Sequence, residues 1–154
     1  MDASTADIKN FIQIDERIGS AGQPTAEQFK ALRDAGYEVV VNLLPREQDN
    51  ALKGEERLIG ELGMDYRYIP VLWTAPRLED FAAFCQVMQE LQGKKVFVHC
   101  AMNMRVTAFY SSYAMKHMGW SRAQADALVA RIWDPAQNIK MNDTWRAFIS
   151  DIRQ

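Results

Sequence analysis

The chain carries the stretch Val96-Phe97-Val98-His99-Cys100-Ala101-Met102-Asn103-Met104-Arg105, an apolar run that delivers a cysteine into a short loop closed by an arginine. Residues 106–118 read as a helix, so the N-terminus of that helix lies directly behind the loop. Its free backbone N–H groups and the positive end of its dipole then face the cysteine. Such a field favours thiolate over thiol, and Arg105 adds a cation to it. Donors that hold a thiolate also hold phosphate, because both present negative charge to a ring of N–H groups. Taken alone, a cysteine that ends an apolar strand is more often core than site. The strand, the His-Cys pair, the arginine five residues on and the immediate helix together favour an anion-binding nucleophile site.

Outward from this stretch, the patterning alternates strand and helix. Residues 11–21 alternate apolar and polar around Asp15-Glu16, as in a hairpin or two short extended pieces. Thr25 with Gln28 three residues on has the form of a capping box, Phe29 and Leu32 mark an apolar face, and Gly36 stops a helix over 26–35. Residues 37–44 form a nearly continuous apolar run before Pro45, as expected of a central strand buried on both faces. Residues 55–62 read as helix ending at Gly63, 66–71 as strand, and 77–92 as helix with Leu78, Phe81, Phe84, Cys85, Met88 and Leu91 on one face. Ser121 with Gln124 opens another helix, and Asn142 or Asp143 caps a last one that buries Trp145, Phe148 and Ile152. The pattern predicts one α/β domain over 1–154, with a mostly parallel central sheet flanked by helices. In such sheets the ligand crevice lies beyond the carboxyl ends of the strands, where Cys100 falls.

Bulk properties narrow the function classes. The 154 residues are 48% hydrophobic and 25% charged, ordinary for a globular domain. A net charge of −2 and a pI near 5.7 supply no basic field, which argues against a nucleic-acid partner. Two cysteines fifteen residues apart make no disulfide framework and fit reduced thiols in a cytosol. No apolar run is long enough for a membrane span, and the first ten residues lack an apolar leader core. The expected location is cytoplasmic, or periplasmic if a leader precedes residue 1. Two histidines and two cysteines offer no tetrahedral zinc set without several carboxylates, so no metal or other cofactor is expected.

Val-His-Cys, a short loop and Arg, set on strand, loop and helix, resembles the cysteine-dependent protein tyrosine and dual-specificity phosphatase superfamily. Further blocks are similar to small bacterial phosphatase-like proteins related to the phosphatase-like domain of β-lactamase-hydrolase-like proteins. They are Ser20-Ala21-Gly22-Gln23-Pro24-Thr25, the segment from Ala35-Gly36-Tyr37 to Asn42-Leu43, Gly63 through Tyr68-Ile69-Pro70-Val71, and a tail with Trp133-Asp134-Pro135 and Trp145. The resemblance implies a phosphatase-like fold and a phosphorylated protein or small molecule as substrate. It also implies Cys100 as the nucleophile on phosphorus, Arg105 as the clamp on phosphate oxygens, the loop Ala101, Met102, Asn103 and Met104 as phosphate-binding, and His99 as support for the loop. Each role suits its chemistry: a thiolate needs no general base, and a planar guanidinium fits two phosphate oxygens as an ammonium cannot.

The chain departs from that pattern in four places. Four residues separate Cys100 from Arg105 where the family has five, and Asn103 is the nearest counterpart of its loop glycine. Asparagine is among the few side chains that tolerate a left-handed backbone. Val106 stands where serine or threonine is usual, with Thr107 next. Leu72-Trp73-Thr74-Ala75 contains no acid where the family places its general-acid aspartate, leaving Glu79 and Asp80 as the nearest carboxylates. Acids in the first turn of a helix more often complement its dipole. Cys85, on the apolar helix face, reads as core before it reads as a disulfide partner of Cys100. His117 reads as a helix C-terminal dipole partner, and Arg46 and Glu47 as a solvated loop. Besides the phosphatase, two readings stay open: a phosphate-binding module with little turnover, and a sulfurtransferase, because rhodanese-like enzymes have a loop of this shorter length.

Overall fold

The computed structural model describes residues 4–134 and 140–154; Pro135 of the Trp-Asp-Pro tail lies outside the described residues. Five strands, β1 (Ile12–Gln13), β2 (Ile18–Ala21), β3 (Val39–Asn42), β4 (Asp65–Tyr68) and β5 (Val96–His99), form one sheet in the order β1-β2-β5-β3-β4. Only the β1–β2 pair is antiparallel. Among the described residues six α-helices accompany them: α1 (Ala26–Asp34), α2 (Glu55–Glu61), α3 (Leu78–Glu90), α4 (Met104–His117), α5 (Arg122–Ala130) and α6 (Asp143–Ile152).

Strand β5 shows why the sheet is buried on both sides. Its residues alternate between two cores, since successive side chains point to opposite faces. Val96 and Val98 join the core built by α3 to α6, with Phe84, Phe109 and Trp145. Phe97 packs in the core of α1 and α2 beside Phe29, Leu32 and Ile59. A strand covered on both faces has no polar positions to spare, hence the unbroken Val-Phe-Val and the Val-Val-Val of its neighbour β3.

Register brings the carboxyl ends of three parallel strands level: Ala21 and Asn42 both lie opposite His99. The chain leaves β5 at Cys100 and starts α4 four residues later, at Met104. The helix thus begins earlier than the 106 expected, and Arg105 sits in its first turn. Asn103 makes the earlier start possible by taking a left-handed backbone, φ 69°, at the N-cap. Strand β3 is interior but not the middle strand, which is β5. At the sheet edge, β4 ends at Tyr68, while Ile69 and Val71 still donate to the carbonyls of Asn42 and Leu43. The capping boxes at Thr25/Gln28 and Ser121/Gln124 are formed, and Asn142 rather than Asp143 caps α6. Among the described residues, no helix is long and apolar enough to cross a membrane and no cluster of His, Cys, Asp and Glu is placed to hold a metal.

Candidate active site

At the carboxyl ends of β5 and β3 opens a cleft of about 300 Å³ lined by Gln48, Asn50, Trp73, Cys100, Ala101, Met102, Met104 and Arg105. Cys100 is fully buried at its floor. Arg105, on the first turn of α4, is 4% exposed. One of its terminal nitrogens donates to Gln48 Oε1 at 3.3 Å, and its guanidinium lies 5.3 Å from the centre of the Trp73 ring. Burial pushes the guanidinium below its ordinary pKa, and the Cys100 sulfur beside it, as charge and hydrogen-bond partner, restores part of that loss. The Nε of Arg105 is buried with no partner. A buried donor without an acceptor costs about 1–3 kcal/mol.

The loop is held from outside by the segment before α1. The amide of Gln23 donates to the carbonyl of Ala101 at 3.1 Å, and Gly22 bridges Met102. A β-carbon added at Gly22 would stand 2.3 Å from the Ala101 carbonyl oxygen. This close approach accounts for the glycine in Gly22-Gln23-Pro24. Gly22→Ala should therefore lower the melting temperature, by about 1–3 kcal/mol of stability as in other overpacked sites. It should also weaken stabilisation by added phosphate, which a thermal-shift titration reads. An alanine variant with unchanged melting and unchanged phosphate response would show that the loop does not depend on this contact.

Asn103 and Asn10 lock the loop reciprocally. Asn103 Nδ2 donates to the carbonyl of Asn10 at 2.9 Å and to Ser20 Oγ at 3.1 Å, and Asn10 Nδ2 donates to the carbonyl of Met102 at 3.0 Å. Thr107, the nearest hydroxyl after Arg105, is spent on helix backbone, donating to the carbonyls of Asn103 and Met104. His99 points to the other face of the sheet. Its Nδ1 lies 3.1 Å from the Cys100 carbonyl oxygen and its Nε2 2.7 Å from Glu55 Oε2.

The other candidates are placed elsewhere. Asp80 bonds the Arg77 backbone amide at 3.0 Å and its guanidinium at 2.9 Å, capping α3, and the neighbouring Glu79 is exposed. Neither lines the cleft. Cys85 is buried on α3 and lines a separate cleft with Phe81 and His117, and burial pushes its thiol up to about 11. His117 meets Gln89 at 3.1 Å near the end of α4. Arg46 lies over the Tyr68 ring beside a neighbouring hollow rather than in the cysteine cleft. The sequence reading missed Gln48 and Asn50, which reach the cleft from the loop after β3, and Trp73 as a fixed wall. Trp73 stacks on Trp133 at 5.5 Å, and its carbonyl accepts from Trp145 Nε1 at 2.8 Å.

A mostly parallel sheet that ends in a cysteine loop, with an arginine on the following helix closing the loop, defines the phosphatase-like α/β class. The chain belongs to the family described as "DSP-PTPase phosphatase fused to NAD+ Kinase", whose profile matches residues 4–144. A DUF442 protein of Shewanella putrefaciens CN-32, assigned as a phosphatase, superposes with a TM-score of 0.84 at 34% identity, over 96% of this chain and 93% of that one. The core catalytic domain of the PP-IP phosphatase SIW14 from S. cerevisiae shares the fold, with a TM-score of 0.75 at 15% identity over 93% of this chain and 85% of that one. The beta-lactamase hydrolase-like protein of Agrobacterium fabrum is 34% identical over 102 residues, 64% of this chain and 23% of that protein. The chain therefore spans about a quarter of the length of this curated relative.

Proposed function

We propose that the protein is a phosphomonoesterase that works through a phosphocysteine at Cys100. The thiolate attacks phosphorus and the bond to the leaving oxygen breaks. That oxygen takes its proton from water, and a second water then attacks phosphorus, breaks the S–P bond, releases phosphate and returns the thiolate. Arg105 holds two phosphate oxygens as charge builds on them, and the loop from Ala101 to Met104 wraps the rest. The observation that carries this reading is the buried Arg105 guanidinium that shares one cleft with Cys100 and interacts with its sulfur as charge and hydrogen-bond partner. The substrate class is a phosphate monoester on a protein or a small molecule.

The experiment is hydrolysis of para-nitrophenyl phosphate across pH 4.5–8, with vanadate as inhibitor, on wild type and Arg105→Lys. Wild type should turn over with an acidic optimum and be blocked by vanadate. The lysine variant should lose about 10²–10³-fold in kcat/KM, as for removal of a donor aimed at developing charge. An Arg105→Lys protein as fast as wild type would overturn the assignment.

The short loop favours a second reading, sulfur transfer. There the Cys100 thiolate takes the outer sulfur of thiosulfate with release of sulfite, and cyanide removes it as thiocyanate. Thiocyanate formation that depends on Cys100, without phosphoester hydrolysis, would replace the first reading with this one. Phosphate or vanadate binding without either product would mark an anion-binding module.

A further inference from the structure

Among the described residues, two that are not glycine have a left-handed backbone: Asn10, φ 55°, and Asn103, φ 69°. Far apart in sequence, they meet in space. Asn103 Nδ2 donates to the Asn10 carbonyl at 2.9 Å, and Asn10 Nδ2 donates at 3.0 Å to the Met102 carbonyl, the peptide oxygen just before Asn103. Left-handed backbone outside glycine concentrates at turns and functional sites. Here two such positions are joined through both of their side-chain amides.

Asn10 is itself firmly held. On one side of it Ile8 is 2% exposed in the core of α1 and α2, and on the other Phe11 packs against the same core. The carbonyl of Lys9 accepts from the Gly22 amide at 2.7 Å, and Gly22 is the residue that bridges Met102. The N-terminal turn and the cysteine loop therefore meet at one point of the chain. At the other end of the lock Asn103 is fully buried and also reaches Ser20 Oγ of β2 at 3.1 Å.

We propose that Asn10 is a positioning residue for oxyanion binding: from outside the cleft, it holds the four-residue loop in the shape in which Arg105 and the loop amides grip an oxyanion. Met102 lines the cleft and Asn10 does not. A carbonyl is an acceptor only and repels an anion it faces. Bound to the Asn10 amide, the Met102 carbonyl is kept from turning inward. The second bond fixes the side chain of Asn103, the N-cap whose left-handed turn starts α4 at Met104 and sets Arg105 in its first turn. The inference rests on the reading of the cleft as a phosphate site and adds to it a residue that shapes the loop without touching the ligand.

The test is the affinity for inorganic phosphate, measured by titration calorimetry well below the melting temperature, for wild type, Asn10→Gly, Asn103→Gly and the double variant. Glycine takes up a left-handed backbone freely, so each change removes an amide and spares the turn. Each single variant should bind phosphate about threefold to tenfold more weakly, the effect of one hydrogen bond lost. A contact that served stability alone would lower the melting temperature and leave the dissociation constant where it was. Because the two amides support one another, the double variant should bind about as weakly as the weaker single, since losses in one network do not add. A folded Asn10→Gly protein with the wild-type constant overturns the proposal, as does a double variant in which the two losses multiply in full. Should Asn10→Gly fail to fold, Asn103→Gly decides, and wild-type phosphate binding there overturns the proposal. Unchanged binding by Asn10→Gly in an active phosphatase rejects the role of Asn10 alone. Weakened binding by that variant of a protein without turnover keeps the role and rejects the phosphatase, and a wild type that binds neither phosphate nor vanadate overturns both.

Discussion

Cys100→Ser should abolish hydrolysis of para-nitrophenyl phosphate, by about 10⁴-fold or more, while added phosphate still raises the melting temperature of the variant. Losses of this size accompany removal of a nucleophile from a site that keeps its binding groups. The reason for so large a fall lies in what the cleft lacks. A thiolate attacks without help, whereas a serine hydroxyl needs a base to take its proton, and none of the described residues lining the cleft supplies one. Anion binding should survive because it belongs to other groups: the Arg105 guanidinium and the loop backbone, each of which keeps contacts besides the one Arg105 makes with the sulfur. Those contacts are the Gln48 and Trp73 neighbours of Arg105 and the Gln23 and Asn10 bonds to the loop. Ligand stabilisation follows the ratio of phosphate concentration to its dissociation constant, so a thermal-shift titration measures binding without catalysis. Hydrolysis by the serine variant at the wild-type rate would remove Cys100 from the mechanism.

The legible parts of this chain are those set by local rules. Thr25 and Gln28 announce α1 because a capping box needs only residues three apart, and the bonds are formed at 3.2 and 2.9 Å. The Val-Phe-Val run announces a doubly covered strand because burial on both faces leaves no room for alternation. The structure also brings Cys100, Ala101, Met102, Met104 and Arg105 to one cleft, as neighbours along a short loop and helix start can be, while the Asn103 side chain bonds Asn10 and Ser20 instead. What stayed hidden depends on distant segments meeting. Glu55 reads as an ordinary acid in a first helical turn, and nothing within α2 says that Gln23, Tyr66 and His99 converge on it. Trp73 hints in sequence at an apolar surface near the crevice, but only Trp133 and Trp145, far along the chain, turn it into a wall. The glycine of Gly22-Gln23-Pro24 is visible, but the reason for it, the Ala101 carbonyl where a β-carbon would go, belongs to the tertiary fold.

That wall shapes the second large effect, the dependence of rate on the leaving group. The segment after β4, where the phosphatase resemblance implies a general acid, presents Trp73, held by its stack on Trp133 and the bond from Trp145 to its carbonyl. None of the described residues lining the cleft carries a carboxylate. The departing oxygen therefore leaves with its negative charge unneutralised, and the barrier rises with the proton affinity of the leaving group. Missing general-acid catalysis costs about 10²–10⁴-fold in rate. Alkyl phosphates should accordingly fall below para-nitrophenyl phosphate by about that factor in kcat/KM beyond what an acid-assisted site would show. Across a series of substituted phenyl phosphates, log kcat/KM should drop steeply as the phenol becomes more basic. A flat series would mean that a proton reaches the leaving oxygen after all. Asp49, between the cleft residues Gln48 and Asn50, and Asp134, next to the Trp133 that stacks on Trp73, would then be the carboxylates to replace by asparagine. The replacement that turns the flat series steep would name the donor.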